Sequence, residues 1–126
     1  MADILVVDDD DIVCDMLARM LTSQKHSVRT AMSVSEAHTQ CNADIPDVII
    51  SDIVMRNGTG IDLLGWVKQE HPNLPVIMLT GMPSAENTTE AVRLGAFGYL
   101  TKPVEDEDLF NMVNRAISYS NYLQTS

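Results

Sequence analysis

Short, unbroken apolar runs alternate along this chain with longer segments whose apolar positions recur every three or four residues. Ile4-Leu5-Val6-Val7 is compact and β-branched, the pattern of a strand covered on both faces. From Ile12 to Leu21 the residues Ile12, Val13, Met16, Leu17, Met20 and Leu21 fall at helical spacing, with Asp10 or Asp11 as N-cap, and the stripe reads as a core face. A weaker strand spans Val28 to Ala31, followed by a helix from Ser35 to Asn42 that Ser33 or Ser35 can cap. Pro46-Asp47 introduces a third strand, Val48-Ile49-Ile50, which ends at Ser51-Asp52. A loop with Gly58 and Gly60 leads to a helix from Ile61 to Glu70, stopped by His71-Pro72. Val76-Ile77-Met78-Leu79 forms a fourth strand ending at Thr80-Gly81, and a helix starting near Ser84 is terminated by Gly95. Phe97 to Leu100 is a fifth strand, and a last helix runs from near Val104 into Tyr119 or beyond.

Strands separated by helices predict an α/β fold: a doubly wound, five-stranded parallel sheet with helices on both faces. Right-handed crossovers leave few topologies, and the order 2-1-3-4-5, the flavodoxin-like arrangement, is a common one. Ligands in such sheets bind beyond the carboxyl ends of the strands, where the winding reverses, here between strands 1 and 3.

The length of 126 residues is that of one domain. No apolar stretch is long enough to span a membrane, and Met1-Ala2-Asp3 does not open a secretory signal, so no membrane association is expected and a cytoplasmic location is. Cys14 and Cys41 lack CxxC spacing and read as reduced, packed thiols, and His26, His38 and His71 as surface or satisfied structural residues. The net charge of −10, with only eight Lys and Arg, argues against direct nucleic-acid binding, which depends on neutralising phosphates. The acidic run from Glu105 to Asp108 suits the first turn of a helix, but Asp8 to Asp11 asks for more.

Strand 1 ends in Asp8-Asp9 and strand 3 in Asp52, so three carboxylates converge at the switch point. Crowded like charges raise one another's pKa unless a cation joins them, and an all-oxygen ligand set suits Mg²⁺ (or Mn²⁺). Strand 4 adds the hydroxyl of Thr80, and strand 5 is followed by Lys102-Pro103. Singly, each has an ordinary structural explanation: a solvated helix start, a turn aspartate, a strand end, a surface lysine. Jointly, acids, hydroxyl and ammonium on one edge make a set for holding a phosphoryl group.

Four stretches, Ile4 to Asp10, Pro46 to Met55, Pro75 to Gly81 and Gly95 to Pro103, resemble in order the receiver (CheY-like) domains of two-component response regulators, over essentially the whole chain. The resemblance implies a phosphorylation-dependent signalling switch rather than an enzyme acting on other substrates. It implies that Asp52 accepts a phosphoryl group from a histidine kinase or phosphotransfer protein. Asp9, Asp52 and the Val54 main-chain carbonyl would bind the metal, with Asp8 acting through metal-bound water. Thr80 would bond a phosphoryl oxygen, Lys102 would pair with the phosphate, Tyr99 would follow Thr80, and the Lys102–Pro103 peptide would be cis. The output partner, a downstream domain or protein, would meet the face of helix 4, strand 5 and helix 5, and a homodimer on phosphorylation is a further implication. Residues 1–126 would be a single receiver domain, either standing alone or belonging to a longer regulator with a C-terminal output module.

The chain departs from the family pattern at Arg56, where proline is usual, so the Arg56 to Gly60 loop is expected to be more mobile and Arg56 to reach an anionic partner. Val54 and Met82, two past Asp52 and Thr80, are apolar where the family's hydrolytic water passes, which predicts a long-lived phosphorylated state. Three alternatives stand beside this reading. A haloacid-dehalogenase-type phosphohydrolase needs a second acid where this chain has Val54; a flavodoxin-like binding module needs a phosphate loop where it has four aspartates; a degenerate receiver would serve only as a scaffold.

Overall fold

The computed structural model describes residues 2–56 and 58–125; Asn57, in the loop expected to be mobile, lies outside them. Strands β1 (Asp3–Val7), β2 (Ser27–Ala31), β3 (Val48–Asp52), β4 (Val76–Thr80) and β5 (Gly98–Thr101) form a parallel sheet in the order β2-β1-β3-β4-β5. Between and after them lie helices α1 (Asp11–Ser23), α2 (Val34–Ala43), α3 (Gly60–Glu70), α4 (Ala85–Arg93) and α5 (Asp106–Thr125). This is the expected doubly wound topology.

Alternation along the strands divides the core in two. Leu5, Val7, Ile49, Val76 and Met78 face Ala37 and Cys41 of α2, Leu63, Leu64 and Val67 of α3, and Ala91 of α4. Ile4, Val6, Val48, Ile50, Ile77 and Leu79 face Cys14, Leu17 and Leu21 of α1 and Leu109, Val113 and Ala116 of α5. Because both faces are covered, β1, β3 and β4 read as continuous apolar runs rather than alternating ones. Burial of each large aliphatic side chain contributes about 1.5–3 kcal/mol.

The helix starts obey side-chain capping. Asp10, Ser33, Thr59 and Ser84 each accept a hydrogen bond from a backbone N–H two or three residues ahead, satisfying donors the helix cannot. Helix α4 ends in a Schellman motif, with Ala96 N–H bonded to Ala91 O at 2.9 Å and Gly95 N–H to Val92 O at 3.0 Å. Gly95 holds φ +88°, which a side chain disfavours.

Three features differ from expectation. On α1 the buried stripe is Cys14, Leu17 and Leu21, whereas Ile12 and Met16 are exposed at 75% and 45%. At 3.6 residues per turn the apolar residues of this helix occupy two adjoining stripes, and only one meets the sheet. The loop after β3 contains a short antiparallel pairing of Val54–Met55 with Gly58–Thr59. His38 and His71 are half-buried, and the Nε2 atom of each is buried without a hydrogen-bond partner among the described residues. His38 instead stacks on Trp66 at 4.1 Å.

Candidate functional site

Register carries the chemistry to one edge. Val7 pairs with Ser51 and Asp52 with Leu79, so Asp8, one residue beyond Val7, emerges beside Asp52. Thr80 pairs with Thr101, and the Lys102 N–H bonds Thr80 O at 2.8 Å, bringing the lysine to the same rim. Its peptide to Pro103 is cis. The loop after Asp52 folds back tightly: Gly60 N–H bonds Ile53 O at 2.8 Å, and a Cβ at Gly60 would overlap the Asp52 carbonyl oxygen. Glycine is thus required there for close backbone approach.

Asp8 and Asp52 are buried, at 2% and 8% exposure, and Asp9 is half-buried. Oxygen atoms of these three carboxylates lie within 4.8 Å of one another. The Lys102 ammonium sits between two of them, with Nζ 2.8 Å from Asp8 Oδ2 and 3.4 Å from Asp52 Oδ2. Backbone donors complete the arrangement: Asp10 N–H bonds Asp8 Oδ1 at 2.9 Å, and Ile53 N–H bonds Asp52 Oδ1 at 2.8 Å. Asp9 turns outward to Arg56, accepting at Oδ2 from the Arg56 backbone N–H at 2.9 Å and from Nε at 3.3 Å.

The electrostatics follow from this crowding. Burial, and then the Asp8 charge, raise the Asp52 carboxyl above its ordinary range; Lys102 and the Ile53 N–H offset only part of the rise. For Lys102, burial acts to lower the ammonium's pKa, but its bond to Asp8 and the two carboxylate charges carry it above the ordinary lysine value. The backbone N–H of Arg56 is the largest influence on Asp9; with the guanidinium it outweighs desolvation and lowers that carboxyl. Three crowded acids, two of them sharing the half-buried Lys102 ammonium and the third met only by the exposed Arg56, still favour a further cation, and their all-oxygen donors fit a hard divalent ion such as Mg²⁺.

The remaining expected residues surround this group. Thr80 is buried, and its Oγ1 accepts from the Met82 N–H at 3.1 Å. Tyr99 is half-buried, with its hydroxyl buried and without a hydrogen-bond partner among the described residues. Val54 and Met82 are exposed, at 50% and 71%. The Lys102–Asp8 pair and the Arg56–Asp9 contact were missed by sequence reasoning. Only the second had a signal, a charged residue at a proline position.

The response regulator receiver domain model matches residues 4–114. The chain is 39% identical over 114 residues to the DNA-binding transcriptional regulator NtrC of Klebsiella pneumoniae, covering 90% of this chain and 24% of that protein. It is 33% identical over 117 residues to the response regulator protein PilR of Pseudomonas aeruginosa, covering 93% and 26%. It spans about a quarter of the length of these curated relatives. Among solved structures, a CheY-like receiver domain protein of Methanospirillum hungatei superposes with TM-score 0.93 at 26% identity, covering 97% of this chain and 98% of that one. NtrX of Brucella abortus, solved with ATP, does so with TM-score 0.91 at 33% identity, covering 98% and 28%. With the topology, the crowded acidic rim and these matches in agreement, this chain belongs to the response regulator receiver domain family.

Proposed function

We propose that this domain is a phosphorylation switch in which Asp52 accepts a phosphoryl group from a histidine kinase or phosphotransfer protein. The observation that carries the reading is the Lys102 ammonium bridging Asp8 and Asp52, at 2.8 and 3.4 Å, beside a third carboxylate. Burial and the Asp8 charge raise the Asp52 pKa, and a more basic carboxylate is a stronger nucleophile toward phosphorus. The new bond joins an Asp52 oxygen to phosphorus; the bond to the donor nitrogen breaks, and that nitrogen keeps the electron pair. Asp9, Asp52 and the Val54 carbonyl would hold Mg²⁺ or Mn²⁺, with Asp8 acting through metal-bound water. When bound, the ion supplies charge neutralisation for the carboxylates and the incoming phosphoryl oxygens.

Lys102 then transfers from the carboxylates to the phosphoryl oxygens. Thr80, whose hydroxyl now accepts from Met82, rotates to donate to one of them. Tyr99 responds through its unpartnered hydroxyl, and the face of α4, β5 and α5 shifts between two pre-existing populations. In this reading residues 1–126 form one receiver domain of a longer regulator. Its output module or partner meets that face, phosphorylation favours a homodimer, and the domain works in the cytoplasm without touching nucleic acid itself. No helix among the described residues is long and apolar enough to cross a membrane.

Incubation with a small acyl phosphate and Mg²⁺, followed by intact mass, tests the proposal. The expected outcome is one added phosphate that Asp52→Asn abolishes. Continuous turnover of phosphate esters by the wild type would replace it with the phosphohydrolase, for which Val54 offers no general acid.

A further inference from the structure

Position 56 brings two hydrogen-bond donors to Asp9 that a proline there would lack: the backbone N–H, 2.9 Å from Oδ2, and the guanidinium Nε, 3.3 Å from the same oxygen. A third contact runs from a terminal guanidinium nitrogen to the Asp9 carbonyl oxygen at 3.3 Å. The Arg56 side chain is otherwise 81% exposed, so Asp9 is the group that holds it at the rim. Charge is then distributed in a particular way. Lys102 serves Asp8 and Asp52, Arg56 serves Asp9, and the three carboxylates are matched by two side-chain cations belonging to the chain.

We propose that Arg56 is a tethered cation that competes with the divalent metal for Asp9, so that loading the ion releases the Arg56 side chain and the residue sets the metal affinity. The inference rests on the metal reading of the Asp8, Asp9 and Asp52 group. Its physical basis is the contrast between the two pairs. The Lys102 pair is largely desolvated and anchored by a strand end, whereas the Arg56 pair stands in water, where such contacts are weak and screened by salt. An exposed guanidinium can leave at little cost, yet while bound it occupies one carboxylate oxygen and adds a positive charge beside the ligands. Arg56 is a positioning residue acting through Asp9.

Mn²⁺ binding to the 126-residue chain, followed by electron paramagnetic resonance of the free ion, reads the competition directly. At low ionic strength Arg56→Ala should bind Mn²⁺ about two- to five-fold more tightly than wild type, the range set by exposed ion pairs. Arg56→Lys should stay near wild type, and the ratio should contract toward one near 1 M salt. In the wild type titrated with Mg²⁺, the Arg56 Nε–H resonance should move to its free-arginine position with the midpoint of metal binding. Equal or weaker binding by Arg56→Ala, or an Nε–H resonance unmoved at saturating Mg²⁺, overturns the competition while leaving the metal site standing. Absence of saturable Mn²⁺ binding in every variant overturns the metal reading and the competition with it.

Discussion

The two rims of the sheet use the same residue type to opposite ends. At the amino rim Asp3 opens β1 and Asp47 precedes β3. Arg29 of β2 grips Asp3 with two bonds, at 2.8 and 3.2 Å, and donates to the backbone oxygens of Asp44 at 2.8 Å and Gln40 at 3.3 Å. Asp47 accepts from the Asp3 N–H at 2.8 Å and returns its own N–H to Asp3 O at 2.7 Å. Each carboxylate there has a structural hydrogen-bond partner, Asp3 in the Arg29 guanidinium and Asp47 in the Asp3 N–H. At the carboxyl rim three carboxylates share one half-buried lysine and one exposed arginine. Carboxylates tied to a guanidinium and to backbone donors hold strands together; three crowded onto one rim within 4.8 Å of one another are ready for a cation and a phosphoryl group.

Removing one cation from each rim is the sharpest way to break this contrast. Arg29→Ala strands the Asp3 carboxylate and two carbonyls, and should cost about 2–3 kcal/mol in urea unfolding. Millimolar Mg²⁺ should restore none of it, and recovery would erase the distinction between the rims. Lys102→Ala should cost less, about 1–2 kcal/mol, because fewer acceptors lose a donor than with Arg29, which bonds Asp3 twice and two carbonyls besides. Here Mg²⁺ should restore most of the loss, since a divalent ion can replace the ammonium among the acids.

Asp52→Asn reverses the sign. The folded state raises the Asp52 pKa, first by burial and then by Asp8, and so prefers the protonated form. That contribution is fully present below the unfolded pKa and is lost as pH rises through the folded value. Metal-free Asp52→Asn should therefore be more stable than wild type by on the order of 1 kcal/mol near pH 7, with the gain shrinking on acidification. Unfolding midpoints across pH, with Mg²⁺ excluded, decide it; a destabilised variant at neutral pH would mean the Lys102 attraction outweighs burial and repulsion.

The smallest effect concerns the lifetime of the phosphorylated state. Val54 and Met82 are exposed apolar residues of the two loops that begin at Asp52 and Thr80. Val54→Asn with Met82→Glu should admit and orient water and so speed dephosphorylation, read as decay of the phosphorylated mass. An unchanged or slower decay removes these side chains from that role.

Periodicity alone was enough for the five strands, the five helices and their parallel stacking, because strands buried on both faces must be uninterrupted apolar runs. It also placed Asp8, Asp9, Asp52, Thr80 and Lys102 at strand ends, where chain direction brings them to one edge. It could not say which of the two apolar stripes of α1 meets the sheet, since Ile12 and Met16 satisfy helical spacing as well as Leu17 and Leu21 do. Nor could it separate Asp3 from Asp8: both flank the same apolar run, and their difference lies in partners 26 and 94 residues away. Pairing of charges depends on distances of a few ångströms between remote segments, which spacing within one segment does not encode. The order and direction of the elements were therefore decided locally by sequence, and the distribution of counter-charges, Lys102 to Asp8 and Asp52, Arg56 to Asp9, Arg29 to Asp3, was decided by packing.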